Sequence, residues 1–279
     1  MVGQSTPKTP CSGLRVWPRN SVAVVAYSTI LQNSNTAMQT ASHVSLHLIR
    51  FESLRPAGAI EVGDRAGVLF CGVAADTRAA GTEPASQQAF AFAILGLHQD
   101  AVSAHLLLEN YRSVAPWTVE AREVWGAVLR PFRHKGEANY LNRMHPGPLF
   151  EPGALFAAPS ADTPFVSITT SGWHICPELD MNRVREFSTG VLAVRASMTA
   201  MSGLHSQQSF FFPRGLEHDP MTITFWKNQA ALTEFAYGPG GHRLQMERQH
   251  ERGLADRTSF TRCLAESKQG TWYGACPLA

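Results

Sequence analysis

The order strand, helix, strand occurs twice in this chain, and the repetition limits the possible folds more than any other feature. In the first half, QAFAFAILGL (88–97) predicts a buried strand, QDAVSAHLLLENY (99–111) a helix and REVWGAVLRPF (122–132) another strand. In the second half, MTITFWKN, QAALTEFAYGPGGHRLQMERQHERG and TSFTRCLAES repeat that order at similar spacing. A repeated segment of this size predicts two copies of one supersecondary unit.

The segments before each repeat extend the pattern. HVSLHLIRF (43–51) and FVSITTSGW (165–173) predict strands, and SQQSFFF (206–212) predicts a further strand. ELDMNRVREFSTGVLAVRASMTAM predicts an amphipathic helix packed on a sheet, with an apolar face formed by Met181, Val184, Phe187, Val191, Val194 and Met198. In the earlier helix, Asp100 is the expected cap, and Val102, Leu106 or Leu107, and Tyr111 form the expected apolar face.

These elements predict an α+β protein of two tandem ferredoxin-like β-α-β-β-α-β units, of the dimeric α+β barrel type. We expect the two antiparallel sheets to pack face to face and to leave a cavity between sheet and helices; whether the tandem chain closes its own barrel is open. The Gly/Ala/Pro-rich segment 53–86 predicts a weak helix and a loop, and PRGLEHD predicts a turn.

The predicted boundaries follow changes in composition. Residues 1–42 are expected to form a disordered tail, 43–135 the first unit, 136–164 a Pro-rich connector, and 165–279 the second unit. The apolar run within the tail is too short to span a bilayer, and we expect the ordered protein to begin near Met38. A signal peptide or an upstream extension remains an alternative for residues 1–37.

Charge and cysteine content exclude several classes of protein. The formal net charge is +2, with 16% charged residues and no long run of one sign, so nucleic acid is not an expected partner. Five cysteines without a C-x-x-C pair disfavour a disulfide framework or a zinc ribbon. We therefore expect a cytoplasmic protein with an apolar or small partner, and association with a membrane surface is left open.

Chemistry is expected to depend on histidine. The chain contains no Walker A, G-x-G-x-x-G, H-E-x-x-H or G-x-S-x-G motif, whereas it has 11 histidines. His242 is placed unusually, because it follows Tyr237-Gly-Pro-Gly-Gly at the first turn of a helix. The helix dipole disfavours the imidazolium ion there and keeps the ring neutral, as a metal ligand must be.

The neighbours of His242 are compatible with a ligand site. The glycines, Gly241 among them, give a flat group such as a porphyrin room to approach the backbone, and Met246 lies one turn further on the same face. His174 and His218 are weaker candidates for a metal ligand. The alternative is a kinked helix with a surface histidine at the break, and the pattern alone does not decide between the two.

From MQTASHVSLHLIRF through FAILGLHQD and SFTRCLAES to QGTWYGACP, the chain resembles the spheroidene monooxygenase family, roughly over residues 43 to 276. The most specific parts of the resemblance are the strand–helix–strand segments and the motif of Gly270, Thr271, Trp272 and Gly274. His242 falls where that family has a histidine after a Gly-rich helix break. The segment GVLFCGVAADTRAAGTEP is shorter here than in the family, which leaves the substrate open.

The resemblance implies an enzyme with a ferredoxin-like fold, haem b and molecular oxygen, which inserts a keto oxygen into an acyclic carotenoid. It implies that His242 is the iron ligand, with Gly241 and Met246 beside the haem. It further implies an apolar carotenoid-like substrate and an electron-donor protein such as a ferredoxin, and a homodimer is compatible with the fold type.

Two alternatives remain. One is another haem enzyme of related fold, resembling aldoxime dehydratase or chlorite dismutase, which a polar pocket opposite the haem ligand would favour. The other is a module that binds haem or an apolar ligand without catalysis. An apolar pocket would favour a hydrocarbon substrate.

Overall fold

The computed structural model describes residues 40–56, 67–76, 88–136, 150, 155–173, 180–214, 217–239 and 241–278. The strands are β1 (His43–Pro56), β2 (Val68–Asp76), β3 (Gln88–His98), β4 (Glu123–Gly136), β5 (Phe165–Gly172), β6 (Leu204–Arg214), β7 (Glu217–Trp226) and β8 (Arg257–Gly270). The helices are α1 (Ala101–Val114), α2 (Met181–Met198), α3 (Gln229–Tyr237) and α4 (Gly241–Arg252), and a 3-10 helix (Pro116–Glu120) follows α1. The predicted α+β class is confirmed.

The eight strands form one closed antiparallel sheet in the order β1-β3-β2-β6-β7-β5-β8-β4. Each half contributes four neighbouring strands in the same relative order, β4-β1-β3-β2 and β8-β5-β7-β6. A long β4–β8 ladder joins the halves on one side, and a short ladder, Ala75 with Phe211 and Asp76 with Phe210, joins them on the other. The two sheets expected to lie face to face are therefore opposite walls of one barrel, which closes on the β2–β6 side through those two residue pairs alone.

The interior of the barrel is an apolar core. Alternate side chains along each strand point inward, as the two-residue period of a strand requires. Trp125, Phe210 and Phe225 are fully buried there, and the rings of Trp125 and Phe225 meet edge to face at 5.1 Å. Since the interior is filled, the helices and any ligand site belong to the outer face of the sheet.

Helix α1 covers the outer face of the first half. Asp100 caps it as predicted, accepting a hydrogen bond from the Ser103 backbone N–H at 2.8 Å. The predicted apolar face is wrong in part, because Val102 and Leu106 are 69% and 54% exposed. Leu107 and Tyr111 are buried as predicted, and Ala104 and Leu108 complete the buried face.

Two loop predictions are also corrected. Segment 53–86 was expected to hold a weak helix and a loop, yet residues 68–76 form strand β2, paired along its length with β3. Gly72, Ala74 and Ala75 interrupt the apolar pattern of this strand, and it was therefore not predicted. The turn predicted at PRGLEHD is shorter than expected, since β6 continues to Arg214 and β7 begins at Glu217.

The helix predicted from 178 to 201 is observed as α2, over Met181–Met198. Its buried residues include Phe187, Val194 and Met198, whereas Met181 at its start is 53% exposed. The predicted tail lies almost entirely outside the described residues, and so does most of the predicted connector between β4 and β5. No helix among the described residues is long and apolar enough to cross a membrane.

Candidate functional site

A cavity of about 590 Å³ lies between the outer face of the second half of the sheet and the helices that cover it. Its roof is mainly apolar and is formed by α2, α3 and α4, with Phe187, Val191, Val194, Met198, Leu232, Phe235 and Met246 in the lining. Its floor is the sheet surface of β4, β5, β7 and β8. The volume lies in the range of small-molecule and cofactor sites, roughly 300–1,000 Å³.

The floor is polar because hydroxyl side chains alternate outward along two neighbouring strands. Ser167, Thr169 and Ser171 of β5 line the cavity, and the ladder places Thr224 of β7 opposite Ser167 and Thr222 opposite Thr169. Several of these hydroxyls have partners within the sheet. The Trp226 indole N–H, for example, donates to Thr224 Oγ1 at 2.8 Å.

The Gly-rich break lies at the margin of this cavity, between two separate helices. Asn228 caps the start of α3 by accepting from the Ala231 backbone N–H at 2.9 Å, and α3 ends at Tyr237. The backbone N–H of Gly238 then donates to the Glu234 carbonyl at 2.8 Å. A Cβ at Gly238 would lie 2.3 Å from that carbonyl oxygen, so this turn requires a glycine.

Helix α4 begins at Gly241, which places His242 in its first turn as the sequence predicts. The His242 side chain lines the cavity, and its Nδ1 is 3.2 Å from the carbonyl oxygen of Ala236 in α3. A carbonyl can only accept, so Nδ1 carries the proton and Nε2 keeps its lone pair. Among the described residues, Nε2 has no hydrogen-bond partner.

Electrostatics keep this ring neutral. Burial lowers the pKa of His242 below its ordinary value, and the bond to the Ala236 carbonyl opposes that shift without reversing it. The ring of Phe235 packs against the imidazole, with 4.8 Å between the ring centroids. A neutral imidazole held by a carbonyl at Nδ1, with Nε2 unpaired, is the arrangement that metal-ligating histidines commonly show.

The other predicted site residues are distributed as follows. Met246 lines the cavity one turn after His242, and Gly241 is the first residue of α4. His174 lies outside the described residues. His218 lies in strand β7, but its side chain is not among those described.

The sequence analysis missed the floor of the cavity and one further histidine. His250, which was not a candidate ligand, is exposed yet lines the cavity two turns after His242. The alternating hydroxyls at 167, 169 and 171 were a usable signal, because a strand whose outer face is polar but covered by helices needs a polar or hydrated space above it.

The Gly-Thr-Trp-x-Gly motif has a structural position outside the cavity lining. Gly270 has φ +75°, and a Cβ there would lie 2.0 Å from the Val124 carbonyl oxygen. Trp272 is 2% exposed and packs against the core of the barrel. The Gly274 backbone N–H donates to the Glu123 carboxylate at 2.6 Å. These contacts attach the C-terminal segment to β4.

Among the described residues, no three His, Cys, Asp or Glu side chains come close enough to hold a metal ion together. A haem differs from a bare ion in this respect, because the porphyrin supplies the equatorial ligands and the protein needs to supply a single axial side chain. His242 can supply that single side chain, because its Nε2 has no partner among the described residues.

No protein-family model matches the chain, and no curated protein matches it. Among solved structures, an aldoxime dehydratase is similar with a TM-score of 0.48 and 9% identity, over 85% of this chain and 86% of that chain. An aldoxime dehydratase in complex with butyraldoxime gives 0.46 and 8%, over 82% and 81% of the two chains. An anthrone oxidase-like protein gives 0.30 and 9%, over 84% and 95%. Similarity at this level assigns neither a family nor an activity to the chain.

Proposed function

We propose that this protein is a haem-dependent monooxygenase in which His242 would hold the haem iron. The observation that carries the proposal is the state of His242, which is neutral, bonded through Nδ1 to the Ala236 carbonyl, and without a partner for Nε2 among the described residues, on the wall of a cavity. A surface histidine at a kinked helix, the alternative reading of the break, has no need of this arrangement.

The surroundings of His242 fit a haem. The apolar side chains of Val191, Val194 and Phe235 suit the faces of a porphyrin, and the turn at Gly238 positions α4 without a side chain in the way. Met246 and Gly241 lie in the same helix as His242, beside the space a porphyrin would take. The one side chain that the iron requires is thus present together with apolar walls.

In this function the residues of the chain have separate roles. His242 Nε2 would hold the iron, and the carbonyl of Ala236 would make the imidazole a stronger donor by accepting its Nδ1 proton. The helices would exclude water from the reacting centre, and the apolar roof would bind the substrate. The haem, when bound, supplies oxygen activation with electrons from a donor such as a ferredoxin. The resemblance to the spheroidene monooxygenase family favours an acyclic carotenoid as the substrate.

The polar floor favours a second candidate. Ser167, Thr169 and Thr222 place hydroxyl groups where an apolar surface would suit a hydrocarbon better. Such groups can relay or donate protons, which a haem enzyme acting on a small polar substrate requires, as aldoxime dehydratase-like or chlorite-dismutase-like chemistry would. A binding module without catalysis is the third possibility, and activity assays separate it from both.

The first test is the absorption spectrum of protein expressed with added haem. We expect a Soret band in the wild type that shifts on reduction and is lost or strongly altered in His242→Ala. The matched control is His250→Ala, which removes another histidine from the lining of the cavity and should leave the band unchanged. If neither the wild type nor the control takes up haem, the proposal is wrong.

The second test assigns the reaction. The haem-loaded protein is supplied with a reductant, a ferredoxin-type donor and an acyclic carotenoid, and separately with an aldoxime. Oxygen-dependent formation of a keto-carotenoid supports the monooxygenase. Conversion of the aldoxime to a nitrile without added oxygen supports the second candidate, and haem uptake without either reaction supports the binding module.

We also infer that the two halves are ferredoxin-like units in tandem. The inference is supported by the identical order of strands, β4-β1-β3-β2 and β8-β5-β7-β6, and by a helix between the last two strands of each half. In the first half, the segment 57–66 between β1 and β2 lies outside the described residues.

A further inference from the structure

Three basic side chains lie together at one side of the cavity floor. Arg133 and Lys135 belong to β4 and Arg262 to β8, and all three line the cavity. The ladder places Arg133 directly opposite Arg262, and Lys135 opposite Phe260. Like charges on directly paired strand positions repel each other, so this arrangement costs stability unless something compensates it.

No compensating group is found in the described part of the chain. None of the described residues that line the cavity is an Asp or a Glu. Arg133, Lys135 and Arg262 make no ion pair with any described residue. Burial, followed by the positive charge of Arg133, lowers the pKa of the Arg262 guanidinium. Arg133 and Lys135 are exposed and Arg262 is half-buried, so the cluster is accessible to an anionic ligand that would balance its charges.

The shape of the cavity limits the kind of anion. The basic cluster occupies the β4–β8 side of the floor, whereas the α2 side of the lining includes Arg195 and an apolar surface of Val191, Val194 and Met198. A ligand that contacts both surfaces needs a carboxylate at one end and an apolar body. Arginine suits such a group because its planar guanidinium can bind a carboxylate with two parallel hydrogen bonds.

We propose that Arg133, Lys135 and Arg262 bind the carboxylate of an amphipathic ligand whose apolar body lies under α2. The carboxylate has two possible sources: the propionates of the haem or a carboxylate on the substrate. The first source rests on the proposed function above. The second would replace a hydrocarbon carotenoid with an apolar acid as the substrate.

The test for the cofactor source uses metal-free porphyrins, which bind without an iron ligand. Quenching of tryptophan fluorescence, to which Trp226 in the cavity lining contributes, measures the affinity for protoporphyrin IX and for its uncharged dimethyl ester. We expect the wild type to prefer the acid, and the variant with Arg133→Gln and Arg262→Gln to lose that affinity by roughly tenfold or more. The affinity for the ester should not change.

Two variants control the test. Arg248→Gln removes the same kind of charge from an exposed position on α4 outside the cavity lining and should bind the acid as the wild type does. His242→Ala should weaken the binding of iron protoporphyrin IX far more than that of the metal-free acid. A failure of iron ligation is thereby distinguished from a failure of the anion site.

The test for the substrate source measures the affinities for oleate and for oleyl alcohol. It uses the haem-loaded protein, or the apoprotein if no haem is taken up. A preference for oleate that disappears in the double variant, without a preference between the porphyrins, assigns the site to the substrate. A preference for the acidic porphyrin assigns it to the cofactor. If the wild type prefers neither the acidic porphyrin nor oleate, or if the double variant retains the wild-type preference, the proposal of an anion site is wrong.

Discussion

The two halves of the sheet have the same strand order, yet their outer faces are covered in different ways. In the first half α1 lies directly on the sheet, and two glycines make the approach possible. A Cβ at Gly96 would lie 2.7 Å from His98 Nε2 and 2.9 Å from Leu107, and one at Gly126 would lie 2.8 Å from Leu108. In that half, nothing larger than a hydrogen atom fits between helix and strand at these two positions.

In the second half the corresponding surface is built from larger polar side chains, and the helices contact one another more than the floor. A Cβ at Gly190 of α2 would lie 2.0 Å from the Gln245 amide oxygen of α4, which shows how closely these two helices pack. The roof is therefore held together by its own contacts, and the cavity remains beneath it. The same fold thus gives a filled layer in one half and a ligand-sized space in the other.

Histidines illustrate the consequence of this difference. His47 and His98 lie beneath α1, fully buried, and each has an Nδ1 without a hydrogen-bond partner in the described structure. His47 Nε2 is 3.4 Å from the Leu108 carbonyl, and His98 Nε2 is 2.8 Å from Ser45 Oγ. His242 also bonds a carbonyl, but it borders open space. Residue type alone does not make a ligand; access to a cavity is also needed.

The largest effect is expected from adding bulk to each outer face. Gly126→Leu would force α1 from the sheet, and we expect it to lower the free energy of unfolding by about 3 kcal/mol or to prevent folding. Thr169→Leu places the same Leu side chain on the cavity floor, where space lies above the strand, and should change stability by less than about 1 kcal/mol. Urea denaturation of both variants measures the difference. Equal losses would show that the second half is as tightly filled as the first.

Acid should destabilise the first half through its buried histidines. Burial lowers the pKa of His47 and of His98 to about 4, so each binds fewer protons in the folded protein than in the unfolded chain. Stability therefore falls as pH drops below the ordinary histidine value, by about 2 kcal/mol per histidine between pH 7 and pH 5.

Urea denaturation at pH 7 and pH 5 checks this expectation. In His47→Gln, the free energy of unfolding should fall less between pH 7 and pH 5 than in the wild type. Adding His98→Gln should reduce that fall again by a similar amount. A wild type equally stable at both pH values would contradict the burial of these neutral rings.

The smallest effect is expected from a matched pair of helix caps. Asp100 caps α1 and Asn228 caps α3 through the same contact with the backbone N–H three residues on. Replacing either with Ala should cost about 1 kcal/mol in the free energy of unfolding. In addition, Asn228→Ala should weaken haem uptake, because α3 provides the carbonyl that orients His242, whereas Asp100→Ala should not. Equal haem uptake by both variants would contradict a role for α3 in orienting His242.

Much of the architecture could be predicted from the sequence, because strongly apolar strands and capped helices leave clear patterns. The strands at 88–97 and 165–173 and the cap at Asp100 are examples. Strand β2 was missed since its small residues lack that pattern. Part of the apolar face of α1 was misjudged because the exposed residues 102 and 106 are four positions apart. The same helical spacing occurs among the buried residues Ala104, Leu107, Leu108 and Tyr111, so spacing alone did not identify the buried face.

The candidate site was predictable only in part. The break at Gly238 and the placement of His242 at a helix start follow from local sequence. The Ala236 carbonyl partner, the hydroxyl floor and the basic cluster depend on how β4, β5, β7 and β8 align in the sheet. Such long-range pairing is not encoded in the periodicity of any single segment.

The central claim is that the cavity of the second half binds haem through His242 Nε2, and chemical rescue tests it most directly. His242→Gly removes the imidazole and leaves a hole of its size beside the cavity. We expect this variant to lose haem during gel filtration and to regain a six- or five-coordinate haem spectrum when free imidazole is present, with His250→Gly unaffected by imidazole. Haem binding by His242→Gly with the wild-type spectrum and without imidazole would contradict the claim.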